Sequence, residues 1–437
     1  MAKSNARPYG IVLALLLMCT QAWATSTFLH ITDFSETSTS GTEVESMELG
    51  SGDGLTSSDW LILYSTGGIV DSHGSDSVVV QFKKNDTLIT DERFQQDPEQ
   101  STTWMAEPFD WFYMCESCSS SDTFQTTIDS ASGNTTIGRY ASMTAIDLGD
   151  LTKNTGWYIG DTENGAAKLD TAVSWTWYTG SSVTIDDNVE GETWLVFCRA
   201  QIDANASNSM GAVRVQWDDV GASSPTTVGA CNYEATHRSE ASTDVMAIMC
   251  PTVHTVPAGM SGDLKYNCDY WAGNTAADAQ NMNVIAINLD ELTTEHDSAS
   301  SGTDHESTSG STYIDYTHLA WDWTPSTTGT YLVLGAAIIS NFQQNTIGSI
   351  GRWSIDTTGF GLRAYDGTET SENDKRSQFG MTTYDFTAST EYDLDLEFRN
   401  WDGGTNDAKV FGAQMIVIYE DNPSVGGVTF VPRIEIF

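Results

Sequence analysis

Trp60-Leu-Ile-Leu-Tyr64, Trp194-Leu-Val-Phe-Cys198 and Tyr331-Leu-Val-Leu-Gly335 are three versions of one apolar pentapeptide, opening 134 and 137 residues apart. Each is rich in aromatic and branched residues and has no polar break, the pattern of a short strand covered on both faces. From each opening aromatic a second strand follows at a nearly constant distance. Val78-Val-Val-Gln-Phe82, Val213-Arg-Val-Gln-Trp217 and Ile350-Gly-Arg-Trp353 end 22, 23 and 22 residues beyond it. A third segment closes each stretch: Thr144-Ala-Ile-Asp-Leu148, Ile285-Ala-Ile-Asn-Leu289 and Met415-Ile-Val-Ile-Tyr419. Their middle residues lie 86, 93 and 86 positions past the opening aromatic. Three landmarks in one order at one spacing predict three copies of a single structural unit.

Within a copy the period is two. In the third, Tyr392, Leu394, Leu396 and Phe398 point one way and Asp393, Asp395, Glu397 and Arg399 the other, so one sheet face is buried and the other is wet and charged. The opening strands, apolar on both faces, belong at the centre. Before each closing strand stands a turn, Ser132-Gly-Asn134, Ala272-Gly-Asn274 or Gly403-Gly-Thr405, which predicts a hairpin. About 135 residues with roughly eight short strands and no helical period suit a two-sheet sandwich. The expected fold class is therefore all-β: three tandem jelly-roll-like antiparallel β-sandwich domains after a signal peptide.

The close of each copy, an amphipathic strand such as Tyr392 to Arg399, a Gly turn and then the buried strand Met415 to Tyr419, resembles the end of the tumour-necrosis-factor-like jelly roll. That resemblance implies units that pack through aromatic-rich faces, often in threes. It carries no catalytic residue onto this chain. The closing strands set the expected boundaries at 25–151, 152–292 and 293–422, with a Ser/Thr/Gly-rich linker over 298–311 and a strand-like tail over 423–437.

Residues 1–24 read as a secretory leader: Lys3 and Arg7, the apolar run Ile11 to Met18, then Ala22-Trp23-Ala24 with cleavage after Ala24. Cys19 raises a lipoprotein alternative, against which Met18 stands where a small residue is wanted. No other run is long and apolar enough to span a bilayer as a helix. The chain has 60 Asp and Glu against 19 Lys and Arg, a formal charge of −41. A surface of that sign repels nucleic acid and attracts divalent cations. The six cysteines beyond the leader, Cys115, Cys118, Cys198, Cys231, Cys250 and Cys268, are an even number suited to an oxidising compartment. The spacing predicts a local bridge between Cys115 and Cys118 and two bridges within the second copy, with Cys198–Cys268 and Cys231–Cys250 the favoured pairing.

No Gly-x-Ser-x-Gly elbow, His-Glu-x-x-His or phosphate loop is present. Gly359-Phe-Gly361-Leu-Arg-Ala364 has dinucleotide-fingerprint spacing but reads as a β-hairpin. Two imidazoles with flanking carboxylates, His296 with Asp297 and His305 with Asp304, are candidate ligands for zinc or another divalent ion, against the plainer reading of an exposed polar loop. Calcium is the chemically natural ion, with Asp186 to Asn188 and Asp402 to Asp407 as oxygen-rich loops. Trp175 with Trp177, and Trp321 with Trp323, each put two rings on one strand face. Such a pair either stacks a sugar or fills a core. The expected function is an exported, non-enzymatic structural or assembly protein of fibre, coat or surface-layer type, built as a rod of end-to-end units that self-associates. The alternatives are a glycan- or cell-surface-binding adhesin and a viral or phage surface protein of the same architecture.

Overall fold

The computed structural model describes residues 28–33, 37–40, 44–70, 78–96, 107–130, 135–160, 178–185, 190–204, 210–220, 226–227, 233–236, 245–260, 262–273, 277–302, 306–342, 349–365, 375–400 and 407–421. The expected leader and tail lie outside them. Regular structure in the described residues is almost wholly antiparallel strand.

The strand order of one two-sheet sandwich recurs three times. In the first copy one sheet runs Phe28–Asp33, Thr135–Asp147, Trp60–Val70, Glu107–Cys115, and its mate runs Val44–Leu49, Phe124–Ser130, Val78–Lys84, Thr87–Gln96. In the second the order is Trp157–Ile159, Ala277–Asn288, Thr193–Ala204, Val245–Thr255, against Tyr178–Ile185, Leu264–Gly273, Met210–Asp219 and the short Thr226–Thr227 and Tyr233–Thr236. In the third it is His296–Ser301, Asp407–Tyr419, Gly329–Phe342, Lys375–Phe386. Its mate runs Ile314–Asp315 with Trp321–Trp323, Tyr392–Asn400, Ser349–Ile355, Thr358–Tyr365. Counting eight positions along each copy, the sheets are ordered 1-8-3-6 and 2-7-4-5, which is a jelly roll.

The landmark aromatics occupy one place in that scheme. Trp60 stands opposite Asp147, Trp194 opposite Asn288 and Tyr331 opposite Tyr419, each on the ladder between third and eighth strands. A register shift interrupts the same ladder between Ser65 and Gly67, Arg199 and Gln201, and Ile338 and Ile339. Such a bulge bends the long central strand so that it can follow both the sandwich and its neighbours.

Alternate residues of the opening strands serve two cores. Trp60, Ile62 and Tyr64 fill the first sandwich, whereas Leu61 and Leu63 turn outward into an apolar centre shared with the second copy. Tyr331 and Val333 fill the third sandwich, and Leu332, Leu334, Ala336 and Ile338 enter the same centre. The two-sided apolar strands therefore lie between layers, as their composition requires. The copies do not string out end to end as a rod; they meet around one core. Copy one and copy two also join at Val245 opposite Gln95, merging two sheets into eight strands.

Two further expectations are corrected. The turn before each closing strand does not make a hairpin, because the seventh and eighth strands lie in opposite sheets. Periodicity finds the two strands but not which layer each joins. The Ser/Thr-rich stretch expected as a linker supplies His296–Ser301 and Glu306–Thr308, both paired with Asp407–Tyr419. Small hydroxyl residues suit a half-exposed edge strand with water on one side. The Gly359 to Ala364 segment is the expected strand, hairpinned to Ser349–Ile355.

Candidate functional site

Among the described residues, polar contacts cross the seam between copies, three of them from a buried side chain to a backbone carbonyl. Arg199, 6% exposed, donates from Nη1 to the carbonyl oxygen of Phe112 in the first copy, with its guanidinium 4.1 Å from the centroid of the Trp111 ring. Ser65 Oγ in the first copy donates to the carbonyl of Phe379 in the third, 3.3 Å away. Gln414 Nε2 in the third donates to the carbonyl of Pro251 in the second. Donors run from the third or eighth strand of one copy to the sixth strand of another: two to one, one to three, three to two. The interfaces therefore close on themselves, as head-to-tail contacts do when the rotation completes a ring.

The second polar feature is the outer face of the third sandwich. Residues opposite one another in a ladder share a face, and here like charges are opposed: Asp315 faces Glu397 and Asp322 faces Asp393. Asp395 lies between them on the same face, opposite Ser354. Like charges directly across a ladder repel. The nearby cations are committed: Arg352 Nε bonds Glu397, and Arg352 and Arg399 lie 4.2 and 4.9 Å from the centroid of the Tyr313 ring. Arg399 also donates to the carbonyl of Ser311. Burial, then the charges of Asp393, Asp315 and Glu397, push the Asp395 carboxyl up to about 7. Asp315 is raised too, by burial and then by Glu397 and Asp393.

A third cluster caps the second sandwich. The Tyr266 hydroxyl and His254 Nδ1 are 2.8 Å apart, and the His254 ring stacks on Trp217 at 4.8 Å. Burial lowers His254 to about 4 and raises Tyr266 well above its ordinary value, so both are neutral at pH 7.

The residues singled out from sequence are placed as follows. Trp323 is 5% exposed and meets Tyr331 and Phe386 edge-on, and Trp321 is half-buried against it, ring centroids 6.0 Å apart. Trp323 belongs to the core of the third sandwich and Trp321 packs against that core, the second of the two arrangements open to such a pair; Trp175 and Trp177 lie outside the described residues. His296 Nε2 is 3.0 Å from Asp290 Oδ1 and Asp297 Oδ1 accepts from the backbone of Ser298. These neighbours in one strand point to opposite sides of it, so they do not converge on an ion, and Asp304 and His305 lie outside the described residues. Of the two oxygen-rich loops, 186–188 and all of Asp402 to Asp407 but its last residue also lie outside them, and Asp407 opens the closing strand of the third copy. The Cys115–Cys118 and Cys198–Cys268 bridges are formed. Cys250 is buried, and Cys231, its expected partner, is not described. The opposed carboxylates escaped sequence reading because Asp315 and Glu397 are far apart in the chain; only the Asp-x-Asp-x-Glu alternation from Asp393 was visible.

The strand order defines an all-β protein of jelly-roll sandwiches. No protein-family model matches the chain, and no curated protein matches it in sequence. Among solved structures it overlaps the tandem CBM22 domains of Paenibacillus barcinonensis Xyn10C at 10% identity, over 60% of this chain and 94% of that one, TM-score 0.19. A Sulfolobus Turreted Icosahedral Virus chain overlaps at 9% identity over 89% and 92%, TM-score 0.20. An archaeal virus protein described by its triple jelly roll fold and turret assembly overlaps at 8% over 90% and 91%, TM-score 0.18. Overlaps this shallow carry no weight for function, and the fold rests on the ladders themselves. No described helix is long and apolar enough to cross a membrane.

Proposed function

We propose that the chain is an exported, non-enzymatic structural protein of coat or surface-layer type, a single-chain block of three sandwich units spanning 25–151, 152–292 and 293–422. The observation that carries this reading is the closed seam: Arg199 to Phe112, Ser65 to Phe379 and Gln414 to Pro251 tie the copies pairwise around one apolar centre. Packing in threes also supports a tumour-necrosis-factor-like arrangement, here within one chain. Two disulfides suit an oxidising compartment outside the cytoplasm, cellular or virion. A core committed to internal contacts serves mechanical persistence, and function then resides on the outside of the block. Among the described residues only Leu88 and Val220 are exposed large apolar side chains, at 39% and 47%. Self-association through the described surface would be polar and salt-sensitive. Electron microscopy and light scattering on the protein lacking residues 1–24, over a range of protein and salt concentrations, test this. Ordered sheets, shells or discrete oligomers support it. A monomer at every condition that binds glycans on an array replaces it with the adhesin reading.

A further inference from the structure

At the end of the sixth strand of the first copy, the Cys115–Cys118 bridge lies beside two charged side chains. Lys84 Nζ donates to Cys115 Sγ at 3.4 Å and pairs with Asp122 Oδ2 at 2.8 Å. The two sulfurs and a carboxylate oxygen of Asp122 all lie within 4.8 Å of one another. No other group of three Cys, His, Asp or Glu side chains comes as close among the described residues. Cys115 and Cys118 are 2% exposed and Asp122 7%, beneath an exposed cover of Glu116, Ser117 and Ser119 to Ser121. A bridged sulfur is a weak acceptor and returns little to an ammonium held against it, whereas a thiolate at the same place returns a full charge.

The donors are fixed by more than the bridge. Cys115 stands opposite Trp60 in a strand ladder, and the Cys118 backbone donates to the Ser58 carbonyl at 2.8 Å. Between them the Ser117 backbone donates to Asp59 Oδ1 at 2.6 Å. Asp122 accepts at Oδ1 from Asn85 Nδ2 and at Oδ2 from the Ser119 backbone, each at 2.9 Å. Burial pushes the Asp122 carboxyl up, but the hydrogen bonds from Asn85, Lys84 and Ser119 hold it below its ordinary value, so it is ionised at neutral pH. Opening the S–S bond therefore leaves both sulfurs beside an ionised carboxylate on a loop that keeps its anchors.

We infer that Cys115, Cys118 and Asp122, once the bridge is reduced, bind one divalent cation of the zinc class, so that bridge and metal are alternative states of one site. Two thiols supply the two electrons and two protons that turn the bridge into a pair of thiols, and they leave joined as a disulfide. The entering cation displaces both thiol protons. Two thiolates and one carboxylate carry three negative charges; Lys84 answers one, and a divalent cation answers the other two. Soft thiolates at Cys-x-x-Cys spacing select zinc over calcium, and three protein donors leave the fourth tetrahedral position to water. The bridged state belongs to an oxidising compartment and the metal-bound state to a reducing one.

Titration with cobalt(II), whose bonds to thiolate give a charge-transfer band in the near ultraviolet, tests the site. The protein lacking residues 1–24 is first reduced with a phosphine, which takes the oxygen of water and leaves as its oxide. Alkylation and mass mapping of a portion establish that Cys115 and Cys118 are open before metal is added. The expected result is a thiolate band that saturates at one cobalt, bleaches when zinc is added and is absent from the bridged protein. Cys115→Ser and Cys118→Ser should each lose it, whereas joint replacement of Cys198 and Cys268 by alanine should keep it. Asp122→Asn, nearly isosteric, should keep the band but bind at least about tenfold more weakly. No thiolate band from protein with the pair shown open overturns the site, and so does a band that survives Cys115→Ser. Unchanged affinity in Asp122→Asn removes the carboxylate from the ligand set and overturns the three-donor site as well.

Discussion

The guanidinium of Arg199 lies 4.1 Å from the centroid of the Trp111 ring, and these two residues belong to different copies of the repeat. A cation held over an indole inside an apolar seam is worth more than the same contact in water, because neither partner is solvated. Arg199→Met keeps much of the volume but removes the cation and the donor to Phe112. Loss of about 2–4 kcal/mol in chemical denaturation is expected, since the Phe112 carbonyl then loses a buried charged donor. A change below about 0.5 kcal/mol would show that the seam does not depend on this contact.

His254 makes stability depend on pH. Its pKa falls from 6.5 in the unfolded chain to about 4 in the folded one, through burial beside Trp217 and Tyr266. The folded state therefore binds fewer protons in that window. The His254 contribution is fully present above about pH 6.5 and is lost as pH falls toward 4, amounting to at most about 3 kcal/mol. His254→Phe keeps a ring on Trp217 but cannot titrate. The difference between the two proteins' urea midpoints should narrow as pH drops from 7 to 4; a constant difference would count against the assignment.

Gly335 exists to admit Trp353. A Cβ added there would sit 2.3 Å from Cδ2 of the indole, far inside contact distance. Gly335→Ala should cost about 1–3 kcal/mol by overpacking. Combining it with Trp353→Leu should cost less than the sum of the two single changes, because the smaller side chain yields the space. Thermal melts of the four proteins in the cycle measure this, and strict additivity would refute it.

The two disulfides should contribute unequally. Cys198–Cys268 spans 70 residues and ties the two sheets of the second sandwich, whereas Cys115–Cys118 spans 3. Loop-closure entropy gives about 4 kcal/mol at most for the first and about 1–2 kcal/mol for the second. Replacing each pair by alanines and comparing guanidinium midpoints should rank them in that order.

The recurrence of one ladder was legible in the chain because equal strand arrangements need equal spacings. Trp60, Trp194 and Tyr331 recur at one interval, and they stand at one position of one ladder. The fifth position of the pentapeptide meets the end of the second strand: Tyr64 lies against Phe82, 6.4 Å between centroids, and Gly335 against Trp353, one copy giving up volume where its partner gains it. Period two likewise separated Leu394 and Leu396 from Asp393 and Asp395. Local pattern alone decides which face of a strand is apolar, since alternate side chains must leave a pleated backbone on opposite sides.

What the chain could not disclose is which apolar face meets which. Leu61 and Leu332 are apolar for the same reason as Ile62 and Val333, and nothing in the pattern distinguishes a face buried in its own sandwich from one buried against another copy. Only the folded arrangement makes that choice, because the hydrophobic effect has no direction and many partners would satisfy it. The meeting of Asp315 with Glu397, and of Asp322 with Asp393, is of the same kind. Strand register sets it across more than seventy residues of sequence, and register is a property of the sheet rather than of any one strand.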